Sequence, residues 1–197
     1  MNTPPVTTLL PAAWLDTIVI RPAVRSDLPA LEWEGEFSHF RRIFEQAYDR
    51  MLKHKAIIWL ADFQGDIIGQ VFIQLDCDRP ELANGSDRAY LYSFRVRPAY
   101  RGRGLGSRMV AVVENDLRQR GYRTLTLNVA RDNPRAQQLY QRLGFEITAP
   151  EPGFWSYPDQ HGVWHQMEEP AWRMEKELQH TADSKHAGAT EHPWNQI

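Results

Sequence analysis

The residues best suited to chemistry lie in one short run, Arg101-Gly102-Arg103-Gly104-Leu105-Gly106-Ser107, which alternates arginine with glycine and then enters an apolar-periodic segment. Glycine lets a backbone approach a ligand with no Cβ in the way and takes φ > 0 without steric cost. Arginine adds charge-assisted hydrogen bonds whose geometry suits phosphate. If a helix begins just after the run, its first N–H groups are unpaired and carry partial positive charge, so an anion can sit there. The chemistry on offer is a phosphate cradle, and the alternative is a solvated strand-to-helix turn. Two familiar phosphate loops do not match. No Gly-Lys-Ser/Thr follows, as an NTPase P-loop requires. Gly104-x-Gly106-x-x-Met109 approaches the dinucleotide fingerprint, but the next strand closes Asn128-Val129-Ala130 and lacks the acidic residue that should end it.

Other reactive side chains are scattered. Tyr140 either buries its ring in an apolar stripe with Ala136, Leu139 and Leu143 or offers a hydroxyl as a proton donor. Glu34, Glu36 and Asp76 are the acids within reach of a base role, and each also reads as a solvated surface acid. Cys77 is the single cysteine, so no intramolecular disulfide can form, and no histidine-centred arrangement activates it. His161 and His165 are four apart, but Pro158 and Gly162 argue against a helix there and no third ligand is suggested, so no metal is expected.

These residues need a scaffold to hold them. The chain has 197 residues, 42% of them hydrophobic, enough for one domain with a sizeable core. A net charge of −2 gives no general attraction to nucleic acid or to an anionic membrane. Arg95, Arg97, Arg101, Arg103 and Arg108 nevertheless crowd together, which suggests a local anionic ligand. The first residues lack the positive n-region of a signal peptide, and no apolar run reaches the length of a membrane span. With one cysteine, this reads as a cytoplasmic protein. Residues 1–15, rich in Thr and Pro, and residues 179–197, polar and aperiodic, read as flexible tails around a domain over 16–178.

Within that domain, Thr17–Ala23 reads as a strand, Ser26 or Asp27 as the N-cap of a helix near Leu28, and Ser38–Lys53 as a second helix. Ala56–Asp76 is two apolar runs joined by Gln64-Gly65-Asp66, a hairpin signal. Arg88–Val96 predicts a strand with Tyr90, Tyr92 and Phe94 alternating against Ser93 and Arg95. A helix from about Gly104 to Arg120, capped by Gly121, precedes a strand over Thr124–Ala130. Asn133-Pro134 then opens a short helix that ends at Gly144. Phe145–Thr148 and Ala171–Leu178 read as the last strands, separated by an insert rich in Pro, Gly and Trp over 149–169. The order β-α-α-β-β-β-α-β-α-β-β makes an α/β (α+β, mixed-sheet) single domain.

Val96-Arg97-Pro98-x-x-Arg101-Gly102-x-Gly104-x-Gly106, with Asn133-Pro134-x-Ala136-x-x-Leu139-Tyr140-x-x-x-Gly144-Phe145 downstream, resembles the GNAT superfamily of acetyl-CoA-dependent N-acetyltransferases. That family's acyl-CoA motif, [Q/R]-x-x-G-x-G/A, matches on Arg101, Gly104 and Gly106. The resemblance follows the element order over residues 17–178 and is specific over about 90–146.

It implies that the strand before the glycine loop splays from the next one, and that pantetheine lies in the gap on the backbone of Phe94, Arg95 and Val96. An N–H near Val96 would then polarise the thioester carbonyl. It also implies that Gly102, Arg103, Gly104, Gly106 and Ser107 cradle the pyrophosphate, that Asn133 touches the cofactor or caps its own helix, and that Tyr140 protonates the departing thiolate. Many relatives carry a base on the strand before the loop, but Tyr90-Leu91-Tyr92-Ser93-Phe94-Arg95 holds no acid. The aromatic set Trp33, Phe37, Phe40, Trp155, Tyr157 and Trp164 is either core or acceptor-pocket wall. The implied function is acetyl transfer from acetyl-CoA to a primary amine of a small molecule, peptide or protein, without a metal. A non-catalytic acyl-CoA-binding or sensor module is the alternative. Family members often pair through their last strands, which leaves a homodimer open.

Overall fold

A computed structural model describes residues 13–178, so the expectations for 1–12 and 179–197 lie outside the described residues. The chain enters the fold earlier than its composition suggests. Trp14 is buried, meeting the rings of Phe63 and Tyr100, and the Arg108 guanidinium donates to the Leu15 carbonyl.

Strand β1 (Val19–Pro22) leads to a 3₁₀ segment over Arg25–Glu32, where a regular helix was expected. Pro29 lies inside that segment and brings no N–H for an α-helical bond. Asp27 does not cap it from the N-terminal side but reaches back, accepting from the Val24 N–H at 2.8 Å and from both Arg21 Nη atoms at 2.7 and 2.9 Å. Helix α1 (Arg41–Leu52) follows a short 3₁₀ turn. Strands β2 (Ala56–Phe63) and β3 (Asp66–Gln74) form the expected hairpin, with Gln64 and Gly65 both at positive φ (56° and 94°). Then come β4 (Arg88–Val96), α2 (Leu105–Gln119), β5 (Thr124–Ala130), α3 (Pro134–Arg142) and β6 (Glu146–Glu151). The 149–169 insert continues β6 and then folds as a separate hairpin, β7 (Phe154–Pro158) and β8 (Trp164–Glu168), before β9 (Ala171–Glu177) returns to the main sheet.

The main sheet has seven strands in the order β1-β2-β3-β4-β5-β9-β6. Apolar side chains of β2 and β3 alternate between its two faces. Ile57, Ala61, Val71 and Ile73 pack against α2, and Ile58, Leu60 and Phe72 pack against α1 and the 3₁₀ segment. The α2 stripe Leu105, Met109, Val113 and Leu117 is fully buried, as its four-residue spacing requires.

Candidate active site

The site starts from one pairing in the centre of the sheet. β4 and β5 are parallel, and they are in register only from Arg88 opposite Thr124 to Leu91 opposite Leu127. Past Leu91 the two strands part. A bulge sits at the same place. On β3, Gln70 and Phe72 are two residues apart, yet they face Arg95 and Tyr92, which are three apart. The extra residue is absorbed at Ser93, whose φ of 49° is in the left-handed region.

This changes the alternation expected for β4. Leu91 and Phe94 both pack into the α2-side core, whereas Tyr92 packs on the α1 side, the side on which Arg95 stacks over Phe37 and Phe40. Tyr90, Tyr92 and Phe94 therefore do not share a face. The strands' parting and the bulge together open a cavity on each side of β4.

The first cavity, about 480 Å³, lies between β4, the start of α2 and α3. Phe94, Arg95, Val96, Arg101, Gly102, Gly104, Gly106, Ser107, Asn133 and Tyr140 all line it. Of the sequence-predicted site residues only Arg103 is not among its walls. Its backbone is nonetheless part of a row of free donors. The first backbone bond of α2 runs from Arg108 N–H to Gly104 C=O, and among the described residues the N–H groups of 102–107 meet no acceptor. Gly102 and Gly104 hold φ of 72° and 90°, which their lack of a Cβ permits. Such a row at a helix start is an anion nest.

Sequence reading missed Arg135 and Arg142, which also line this cavity. Among the described residues neither they nor Arg101 forms an ion pair with a carboxylate, so their charge is available to a ligand. They stand two and nine residues after Asn133, seven apart on α3, a spacing that puts both on one face of the helix. The Asn133 side chain accepts from the Ala136 N–H at 3.1 Å, so it caps α3 while also facing the cavity.

Tyr140 is buried, with its ring edge-on to Phe145 at 5.6 Å. Tyr140 is part of the cavity wall, and its hydroxyl makes no hydrogen bond to a described residue. Burial raises its pKa above the ordinary value of 10, and the nearby Tyr90 adds to the shift. It is therefore a neutral phenol through the whole range in which the protein would work.

The second cavity, about 600 Å³, lies on the α1 side of β4, beneath the β7–β8 hairpin. Phe40, Phe44, Tyr90, Tyr92, Phe154 and Trp155 form most of its apolar wall. From the aromatic set, Phe40 and Trp155 line it, Trp33 is buried away from it, and Trp164 is exposed on the hairpin. Two carboxylates line it that the sequence did not single out. Glu151 is buried and accepts from Arg79 on both oxygens at 2.9 Å. Glu169 accepts from the Trp155 indole N–H at 2.9 Å and enters no ion pair among the described residues.

None of the acids considered from sequence lines either cavity. Glu34 forms a two-pronged pair with Arg97 at 2.8 and 2.9 Å, and Asp76 pairs with Lys55 at 2.9 Å. Glu36 is exposed on the segment before α1. His165 pairs with Asp159 at 3.0 Å within the hairpin, and no group of metal ligands occurs among the described residues. Arg95 lines both cavities and so marks where they meet.

Comparisons with known proteins bear on the family and the fold. The profile of the Acetyltransferase (GNAT) family matches residues 13–145. YycN of Bacillus subtilis (strain 168), named an uncharacterized N-acetyltransferase, is 31% identical over 83 residues, covering 42% of this chain and 50% of YycN, so the match spans about half the length of that relative. The ribosomal-protein-S18-alanine N-acetyltransferase of Escherichia coli superposes with a TM-score of 0.62 at 22% identity, over 87% of this chain and 99% of that one. The structure of yncA from Salmonella typhimurium with its cofactor acetyl-CoA superposes with a TM-score of 0.61 at 18% identity, over 86% of this chain and 99% of that one. At these identities the structural likeness is one of fold.

Proposed function

The chain belongs to the acetyltransferase (GNAT) family, and we propose that it transfers the acetyl group of acetyl-CoA to a primary amine by direct attack in a ternary complex. The observation that carries this reading is the pair of cavities that meet at Arg95, one lined by unpaired N–H groups and arginines, the other by aromatic rings and carboxylates.

The first cavity suits an acyl-CoA. The N–H groups of residues 102–107 take the pyrophosphate, and Arg101, Arg135 and Arg142 neutralise its phosphates. The backbone of Phe94, Arg95 and Val96, freed from β5, lies along the pantetheine. When bound, acetyl-CoA supplies the activated acyl group. Tyr140 holds its proton at Oη and donates it where the thiolate departs. An amine is mostly ammonium near neutral pH and must lose a proton before it attacks. Glu169, the cavity carboxylate that no arginine neutralises, takes that proton directly or through water. In this reading Glu169, from the insert, supplies the carboxylate that β4 lacks. A single free thiol, Cys77, accords with a cytoplasmic protein.

Thiol release from acetyl-CoA, followed over a panel of primary amines, tests the proposal. At least one amine is expected to turn over, and Tyr140→Phe is expected to lower kcat about 100-fold. Acetyl-CoA binding with no thiol release from any amine would favour the sensor reading instead. A Tyr140→Phe variant as fast as the native protein would remove Tyr140 from the mechanism.

A further inference from the structure

We infer that the second cavity binds a zwitterionic acceptor, an amino acid with an apolar or aromatic body, whose carboxylate is held by Arg95. The inference rests on the acetyl-transfer reading for its chemistry, but the site stands on its own geometry.

The charged groups around the cavity can be counted against one another. Arg79 and Glu151 hold each other, with Arg173 a further 3.5 Å from Glu151, so they cancel. Arg79 is also bound by Glu81 at 2.7 Å. What remains is Arg95 on one side and Glu169 on the other, and among the described residues neither forms an ion pair with the other or with any other charged group. Arg95 makes one side-chain hydrogen bond, Nη1 to Ser93 Oγ at 3.1 Å, and its guanidinium lies over the rings of Phe37 and Phe40 at 4.3 and 5.1 Å. Burying a guanidinium with no carboxylate is costly, and a ligand that brings one relieves that cost. Glu36 acts on Arg95 only through its field.

A third feature points the same way. Asn128 lines the cavity and its Oδ1 is buried without a hydrogen-bond partner. A cavity with an uncompensated cation, an uncompensated carboxylate and an orphaned carbonyl oxygen matches a molecule bearing both a carboxylate and an ammonium group. Because Arg95 also lines the donor cavity, a carboxylate on its guanidinium brings an amine one carbon away to the junction, where transfer must occur. Phe40, Tyr92, Phe154 and Trp155 leave an apolar space for the side chain. A polyamine would instead place its charges against Arg95 and Arg79.

Calorimetric binding of L-phenylalanine, L-phenylalaninamide, phenethylamine and spermidine to the full chain in the presence of CoA tests this, with thiol release from acetyl-CoA measured in parallel. Phenylalanine is expected to bind about tenfold or more tightly than the amide and the decarboxylated amine. Arg95→Met should bring that ratio to within about twofold, and Arg95→Lys should keep part of it. Equal binding of the three, tightest binding of spermidine, no detectable binding of phenylalanine, or an intact ratio in Arg95→Met would overturn the inference. If Arg95→Met does not fold, the native series decides alone. Selective binding of phenylalanine without thiol release would contradict acetyl transfer and leave the zwitterion site standing. Thiol release from amines lacking a carboxylate as fast as from phenylalanine would do the reverse.

Discussion

Burial of Tyr140 has a measurable consequence for pH. Desolvation disfavours the tyrosinate, so the pKa moves up and the proton-bearing form persists past the pH at which an exposed tyrosine ionises. A kcat profile is therefore expected to show no descending limb from Tyr140 below about pH 10. A limb near pH 8 to 9 that disappears in Tyr140→Phe would contradict this. Gly106 offers a second test at the same scale. A Cβ built there would meet Phe94 Cζ at 3.4 Å and Leu139 Cδ2 at 3.8 Å, ordinary contacts, and its φ is not positive. Gly106→Ala is expected to leave the melting midpoint within about 3 °C. It should nevertheless weaken acetyl-CoA binding about tenfold, because the new methyl group stands in the cradle. Unchanged binding, measured by calorimetry, would show that the nucleotide arm lies elsewhere.

The elements differ in how readily their sequences betray them. α2 and the β2–β3 hairpin were legible because a four-residue apolar spacing and a Gln-Gly turn each admit one local structure. The strand before the glycine loop was legible in extent but not in facing. The bulge at Ser93 arises from pairing with β3, which no local pattern records, and it moves Phe94 and Arg95 to faces opposite to those expected. The β7–β8 hairpin was missed for a related reason. Its strands lie outside the main sheet, with Phe154 and Trp164 exposed, so they carry no clean alternation. With it went Glu169 and Arg95's role as the meeting point of two cavities. Gly153 at the hairpin base is a residue whose reason appears only in three dimensions, since a Cβ there would lie 1.8 Å from the Glu169 carbonyl oxygen.

Asp27, read as a cap, proves to tie β1 to the 3₁₀ segment through Arg21, which also reaches Asp62 at 3.0 Å. The Arg21 hydrogen bond is the main cause that holds its pKa below the usual carboxylate value. A depressed folded-state pKa means that the stabilisation is complete above the unfolded value of about 4 and is lost as pH falls through the folded one. Asp27→Asn is expected to cost about 1–3 kcal/mol at pH 7, by denaturant titration. The gap between variant and native protein should narrow below about pH 4. A gap that stayed constant down to about pH 2 would contradict the assignment.

At the scale of the whole molecule, one topological feature shapes the site. A parallel pair, β4 and β5, sits in the middle of a sheet whose other neighbours are antiparallel, and it stays in register for only four residues on each strand. The parting strands give the protein a cleft that a continuous sheet would not have, and α2 and α3 aim their N-terminal regions and arginines at its donor side. No helix among the described residues is long and apolar enough to cross a membrane. The central claim is that this cleft is an acyl-CoA site, and the midpoint of thermal unfolding tests it most directly. A ligand that binds only the folded state at a hundredfold excess over its Kd adds about 2.7 kcal/mol. For a protein of this size that is a rise of about 5–10 °C. Acetyl-CoA is expected to produce such a rise, and NAD and ATP are not. A rise with NAD or ATP and none with acetyl-CoA would contradict the account.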